Sequence, residues 1–171
     1  AFRQAIALDS ERADLWLGLG TAYDRLELLT QAEQAYRRSI DLGLDNARVR
    51  YELGQILSRQ NQFAPAVGEY GRAIDADVRF APAYYARGKA LFELNRAEEA
   101  LGDFEYAIGI SPGDPDPVLA AVQVYMVQGD LASSERLLGE IASTTTSKRA
   151  EISIAIGMLR LRQGRNEEVV K

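Results

Sequence analysis

The side chains that most often carry enzyme chemistry are missing: the chain has no histidine and no cysteine. That removes the commonest general base, the commonest nitrogen ligand for metals, and every thiolate or disulfide. A reacting site would have to rest on carboxylates, lysine or tyrosine, and the candidate groupings do not make one. Asp114 and Asp116 stand among prolines but lack oxygen ligands at the spacings of a calcium loop. Gly18 and Gly20 fall inside a helical pattern, without the preceding strand that a glycine-rich phosphate loop needs. The acidic run RAEEALGDFE (96–105) reads as the solvated face of a helix. The basic cluster RLRQGR (160–165) reads as positive charge favouring a helix C-terminus before Gly164. These residues predict a protein that is not an enzyme and uses no cofactor or metal.

The bulk properties narrow the class further. With 171 residues, 47% apolar and 26% charged, the chain is long enough for one good-sized soluble domain. A net charge of −5 argues against a nucleic-acid partner, which calls for a basic face. The opening AFRQAIALDSERADLW lacks a basic start, an apolar run and a small-residue cleavage site. The most apolar window, PVLAAVQVYMVQ (117–128), is far short of the ~20 residues that span a bilayer and suits a buried helix. The expectation is a soluble protein, cytoplasmic by default, with no insertion into a membrane.

The elements that position these side chains follow from an internal repeat. Gly20, Gly54 and Gly88 are spaced 34 apart, and Ala32, Ala66 and Ala100 keep the same step. So do Tyr36, Tyr70 and Phe104, then Ser39, Ala73 and Ala107, then Ile40, Ile74 and Ile108. Within NRAEEALGDFEYAI (95–108), Ala100, Phe104 and Ala107 share one helix face, because residues three and four apart are neighbours. Small residues there let backbones approach while the aromatic fills the gap between hairpins. Gly88 is expected to meet Ala100, where a bulky side chain would overpack the contact at a cost of ~1–3 kcal/mol.

This pattern resembles the tetratricopeptide repeat, a 34-residue helix–turn–helix with W-x-x-L-G-x-x-Y followed by alanine, an aromatic, alanine and proline. Trp16, Leu19, Gly20, Tyr23, Ala32 and Tyr36 match in one unit; Tyr84, Gly88, Leu91, Ala100, Phe104, Ala107 and Pro112 match in another. The resemblance implies an all-α, right-handed superhelical solenoid of stacked antiparallel helix hairpins. One array is expected over 1–171: the second helix of a truncated repeat at 1–12, repeats at 13–46, 47–80, 81–114 and 115–148, and the start of a fifth at 149–171. The truncated repeat is read from Phe2, Ala5 and Ile6. Unit four is degenerate, with Val122, Ser134 and Leu138 in the glycine, alanine and aromatic columns, and Gly157 stands one residue late after the interruption STTTSKR (143–149). The chain reads as a fragment of a longer protein, because its last segment is apolar where a capping repeat would show a polar outer face.

Local signals fit this register. Thr30 with Glu33, and Asn95 with Glu98, are capping-box patterns for second helices. Pro82 and Pro117 stand at the starts of first helices and Pro65 in a first turn, where the missing N–H is harmless. Gly129-Asp130 reads as a turn followed by an N-cap.

In this family the first helices line a concave groove, so the resemblance also assigns a binding surface. Its residues would be Leu17, Thr21 and Asp24, then Arg48, Tyr51 and Gln55, then Tyr85, Lys89 and Phe92, then Leu119, Gln123 and Met126. Aromatics would supply contact area, with Arg48, Gln55, Lys89 and Gln123 as hydrogen-bonding handles. Tyr51, Tyr85 and Phe92 could equally pack against the next hairpin; Tyr84 and Tyr85, being adjacent, must face different ways. The family's carboxylate clamp for chaperone tails is absent, since its positions hold Leu17, Thr21, Glu52, Pro82 and Ala86. The implied function is a protein-interaction scaffold that holds a partner's peptide or helix in the groove. The alternatives are a substrate-recruiting or regulatory segment of a larger enzyme, or of a bacterial envelope or pilus-assembly protein, which DLWLGLGTAYDRL (14–26) resembles. A third is a structural array that self-associates through its ends.

Overall fold

In a computed structural model, residues 4, 9–144 and 148–169 are described, without side chains at 144 and 165–169. Nine α-helices and no strand occur among the described residues. They are α1 (Ala13–Arg25), α2 (Leu29–Asp41), α3 (Ala47–Arg59), α4 (Phe63–Ala76), α5 (Ala81–Glu93), α6 (Ala97–Ile110), α7 (Pro115–Gln128), α8 (Leu131–Thr144) and α9 (Arg149–Val169). Two compact units divide the chain, Ala1–Asn95 and Arg96–Lys171. The truncated helix expected from Phe2, Ala5 and Ile6 lies outside the described residues, as does the middle of the STTTSKR interruption.

The hairpin turns have a column of their own. Glu27, Asn61, Asn95 and Gly129 follow one another at the repeat period and all take the left-handed conformation, with φ of 57°, 60°, 60° and 82°. Their N–H groups bond to the carbonyls of Asp24, Ser58, Phe92 and Met126. Leu28, Gln62 and Asp130 then close the turn onto Tyr23, Leu57 and Tyr125, each at 2.9 Å. Such a left-handed residue satisfies the carbonyls that a helix end leaves unpaired.

This turn overrides the capping boxes expected at Thr30 and Asn95. Thr30 lies inside α2, whose N-cap is Leu28, and α6 begins after Arg96; neither cap makes a side-chain bond. Asn95 is consumed by the turn, so it cannot also serve as the cap. Side-chain caps appear elsewhere: Asn46 Oδ1 accepts from the Val49 N–H at 3.1 Å and Asp114 from the Asp116 N–H at 3.0 Å. Asp130 accepts from the Ser133 N–H at 3.0 Å, the cap expected after Gly129. Pro82 and Pro117 fall in the first turns of α5 and α7 as expected.

In the first unit the core is one cluster in which Tyr36, Val49, Leu53, Ile56, Leu57 and Tyr70 are buried around Ala32, Ala66 and Ala90. Gly20 and Gly54 meet rings of the aromatic column first. A Cβ on Gly20 would stand 3.0 Å from the Tyr36 ring, and one on Gly54 would stand 2.6 Å from the Tyr70 ring. The first helix has given up its side chain so that a tyrosine ring can approach its backbone. Glu69, next to Tyr70 on α4, is buried beside Arg50 at 2.9 Å, and Arg50 also holds Asp45 at 2.5 Å.

In the second unit, α6 packs on α7, α7 on α8 and α8 on α9. Ala100, Phe104, Ala107, Val122, Leu138 and Ile141 are buried. Ser134 replaces the buried alanine and satisfies its hydroxyl by donating to the Asp130 carbonyl at 3.0 Å. The helix end expected before Gly164 is not there: α9 runs 21 residues, through Gly164 to Val169. A single glycine costs a helix only about 1 kcal/mol, too little to stop it alone.

Candidate functional site

The first unit holds a cavity of about 420 Å³, within the size range of small binding pockets. Its walls come from three helices: Tyr51, Gln55 and Ser58 of α3, Phe63 and Tyr70 of α4, and Tyr85 of α5. Ala86 and Ala90 supply the α5 side. One repeat earlier the same two positions hold Glu52 and Ile56. Ala86 and Ala90 thus present only methyl groups to the space, where Glu52 and Ile56 are longer.

The aromatic walls are fixed by packing. Tyr51 lies edge-on to Phe80, with centroids 5.3 Å apart, and tilted against Tyr70 at 5.9 Å. Gln55 donates to the Tyr51 hydroxyl at 2.6 Å, and the hydroxyls of Tyr70 and Ser58 share a bond at 3.2 Å. Burial pushes the Tyr70 hydroxyl up to about 12 and raises that of Tyr51 as well. Both therefore stay neutral at physiological pH, offering hydroxyl donors and acceptors without charge.

Charge is confined to the rim, on Arg59, Lys89 and Glu93. Arg59 is paired with Asp24 and lies 3.6 Å from Glu27. The Lys89 ammonium sits 5.5 Å over the Tyr85 ring, a cation–π contact that tethers it to the wall.

Of the twelve residues expected to face a groove, Tyr51, Gln55, Tyr85 and Lys89 come together in this cavity. Leu17 is part-buried against the core, and Thr21 donates to the Leu17 carbonyl while accepting from Tyr36. Asp24 reaches the rim only through Arg59. Arg48 is paired with Glu52 at 2.5 Å. Phe92 is half-buried outside the cavity lining. Leu119, Gln123 and Met126 lie on α7 of the second unit, where Gln123 is exposed and the other two half-buried. Tyr84 is buried and Tyr85 lines the cavity, so the adjacent pair does divide between two faces. Tyr51 packs on the core cluster and also lines the cavity.

Sequence reasoning missed Phe63, Tyr70, Arg59, Glu93 and the two alanines. Tyr70 had been read only as a filler of the aromatic column. The small pair Ala86 and Ala90 carried no signal by itself, since Gly18 with Ala22 and Ala120 with Val124 stand at the same positions of other repeats. Among the described residues no cluster of acidic side chains could hold a metal, and no helix is long and apolar enough to cross a membrane.

Hairpins repeating every 34 residues, with a glycine column laid against an aromatic column, define an α-helical repeat protein. A tetratricopeptide repeat model matches residues 1–47 and 51–115, and a second of the same description matches 91–159. The chain belongs to the tetratricopeptide repeat family. Solved structures share the fold. YrrB, described as a TPR protein with an unusual peptide-binding site, is 22% identical, with a TM-score of 0.76 over 96% of this chain and 80% of its own. MamA is 21% identical, with a TM-score of 0.82 over 88% of each chain. The first TPR of Spaghetti (RPAP3), bound to the HSP90 peptide SRMEEVD, is 22% identical, with a TM-score of 0.67 over 71% of this chain and 96% of its own. No curated protein matches by sequence.

Proposed function

We propose that the chain is a protein-interaction scaffold that seats a segment of a partner protein on its first helices, with one partner side chain in the cavity between α3, α4 and α5. The observation that carries this reading is the cavity itself, apolar at its walls and edged by a few polar groups, the usual make-up of a recognition pocket. Rigid tyrosines supply contact area at low entropic cost. Gln55, Ser58 and the tyrosine hydroxyls offer bonds to the partner's backbone. Leu17, Thr21, Asp24, Arg48 and Phe92 extend the candidate surface on the same helices, while Leu119, Gln123 and Met126 remain candidates on α7.

The test is to fill the cavity without dismantling it. Ala86→Leu puts a branched side chain at a half-buried position that lines the cavity and removes no charge. Peptides selected from a displayed random library on the unaltered protein should bind Ala86→Leu at least about tenfold more weakly. Its thermal midpoint should stay at or above that of the parent. Undiminished binding refutes the cavity as the site.

A further inference from the structure

We infer that the cavity rim reads the polarity of its partner: a large apolar side chain flanked by an acidic residue on one side and a basic residue on the other. The inference rests on the cavity being the partner-binding site.

Arg59 is already neutralised by Asp24 and Glu27. Lys89 and Glu93 are not. Among the described residues no carboxylate stands within 4 Å of the Lys89 ammonium, and no cation within 4 Å of Glu93. The two lie one turn apart on α5, at the spacing where lysine and glutamate readily pair. Their order is the less favourable one, with lysine N-terminal to glutamate, and Lys89 is drawn over the Tyr85 ring instead. One positive and one negative group are thus left about 6 Å apart along the helix axis, both on the rim of an apolar cavity. A ligand with a carboxylate alone would answer Lys89 and meet repulsion at Glu93. A ligand with a basic group alone meets the reverse. Only opposite charges on the two sides of the anchor complement both.

Selection of displayed random peptides on four proteins tests this: the unaltered chain, Lys89→Glu, Glu93→Lys and Ala86→Leu. The unaltered chain should enrich an apolar anchor with opposite charges on its flanks. Lys89→Glu should replace the acidic flank with a basic one and leave the other flank as it was. Glu93→Lys should do the converse. Peptides selected on the parent should bind each charge variant about fivefold more weakly. That difference should shrink in about 1 M salt, where the screening length is about 3 Å. An anchor enriched without ordered charges, or flanks that do not respond to the variants, overturns the rim inference and leaves the cavity as the site. Selection indifferent to Ala86→Leu, or no enriched anchor, overturns the cavity and the inference together.

Discussion

Gly54→Ala is the sharpest perturbation the fold offers, because two known effects oppose each other and the structure says which wins. In a helix interior, alanine is favoured over glycine by about 1 kcal/mol. At Gly54 the new methyl would stand 2.6 Å and 2.7 Å from two carbons of the Tyr70 ring, well inside contact distance. That ring is only 2% exposed and cannot swing away. Overpacking of this kind costs about 1–3 kcal/mol, and more than the propensity gain is expected at so short a distance. The net prediction is a loss of up to about 2 kcal/mol, seen in urea unfolding followed by far-ultraviolet circular dichroism. Gly20→Ala should be nearly neutral, since its methyl would come to 3.0 Å of Tyr36. Gly68→Ala and Gly102→Ala meet nothing within 4 Å and should gain about 0.5–1 kcal/mol. The second unit already carries a compensated pair, Val122 with Leu138, at the positions of Gly54 and Tyr70. Gly54→Val with Tyr70→Leu should therefore cost at least about 1 kcal/mol less than the two changes summed. A Gly54→Ala variant as stabilised as Gly68→Ala would refute the packing argument.

Two further outcomes follow from the turns and the tyrosines. Glu27 holds a left-handed turn conformation at φ 57°, which glycine adopts without strain but at some cost in unfolded-chain entropy; Glu27→Gly should stabilise by about 0.5–1 kcal/mol in urea unfolding, and a loss would count against the turn column. Tyr70 is pushed up to about 12 from its ordinary value of 10, mainly by burial, so the unfolded chain releases this proton first and stability present in full below pH 10 is lost as pH rises towards 12; Tyr70→Phe should flatten that part of the curve, and equal slopes for both proteins would refute it.

The helix pairs were legible because buried columns must repeat when every hairpin packs on a copy of itself. Ala32, Ala66 and Ala100 are each fully buried, as their shared position required. What the glycines touch was not legible. Spacing shows that Gly20 and Tyr36 belong together only once the crossing of two helices places the ring against the backbone. The turns were misread for a related reason. Asn95 and Glu98 look like a capping box, yet a tight link between helices needs a left-handed residue at position 95, and that demand takes precedence. At the candidate site, Tyr51, Gln55, Tyr85 and Lys89 could be named from position alone. Tyr70 could not, since a residue assigned to the core still shows one edge to a cavity.

The cavity and the core obey the same rule of size with opposite results. Along the columns a change at one position is answered by its partner: where Leu138 stands in place of a ring, Val122 stands in place of glycine. Both of those side chains are 1% exposed. At Ala86 and Ala90 the side chains are smaller than Glu52 and Ile56, and the neighbouring wall residues Tyr51, Tyr70 and Tyr85 do not close the space. An unfilled space in a packed array forfeits contacts that the chain could have made. It persists here beside neutral hydroxyls and two charges that do not neutralise each other. Gly18 with Ala22, and Ala120 with Val124, stand at the same two positions in the other repeats, so it is Glu52 and Ile56 that depart from the small pair, and the space beside Tyr51, Tyr70 and Tyr85 stays open where Ala86 and Ala90 keep to it.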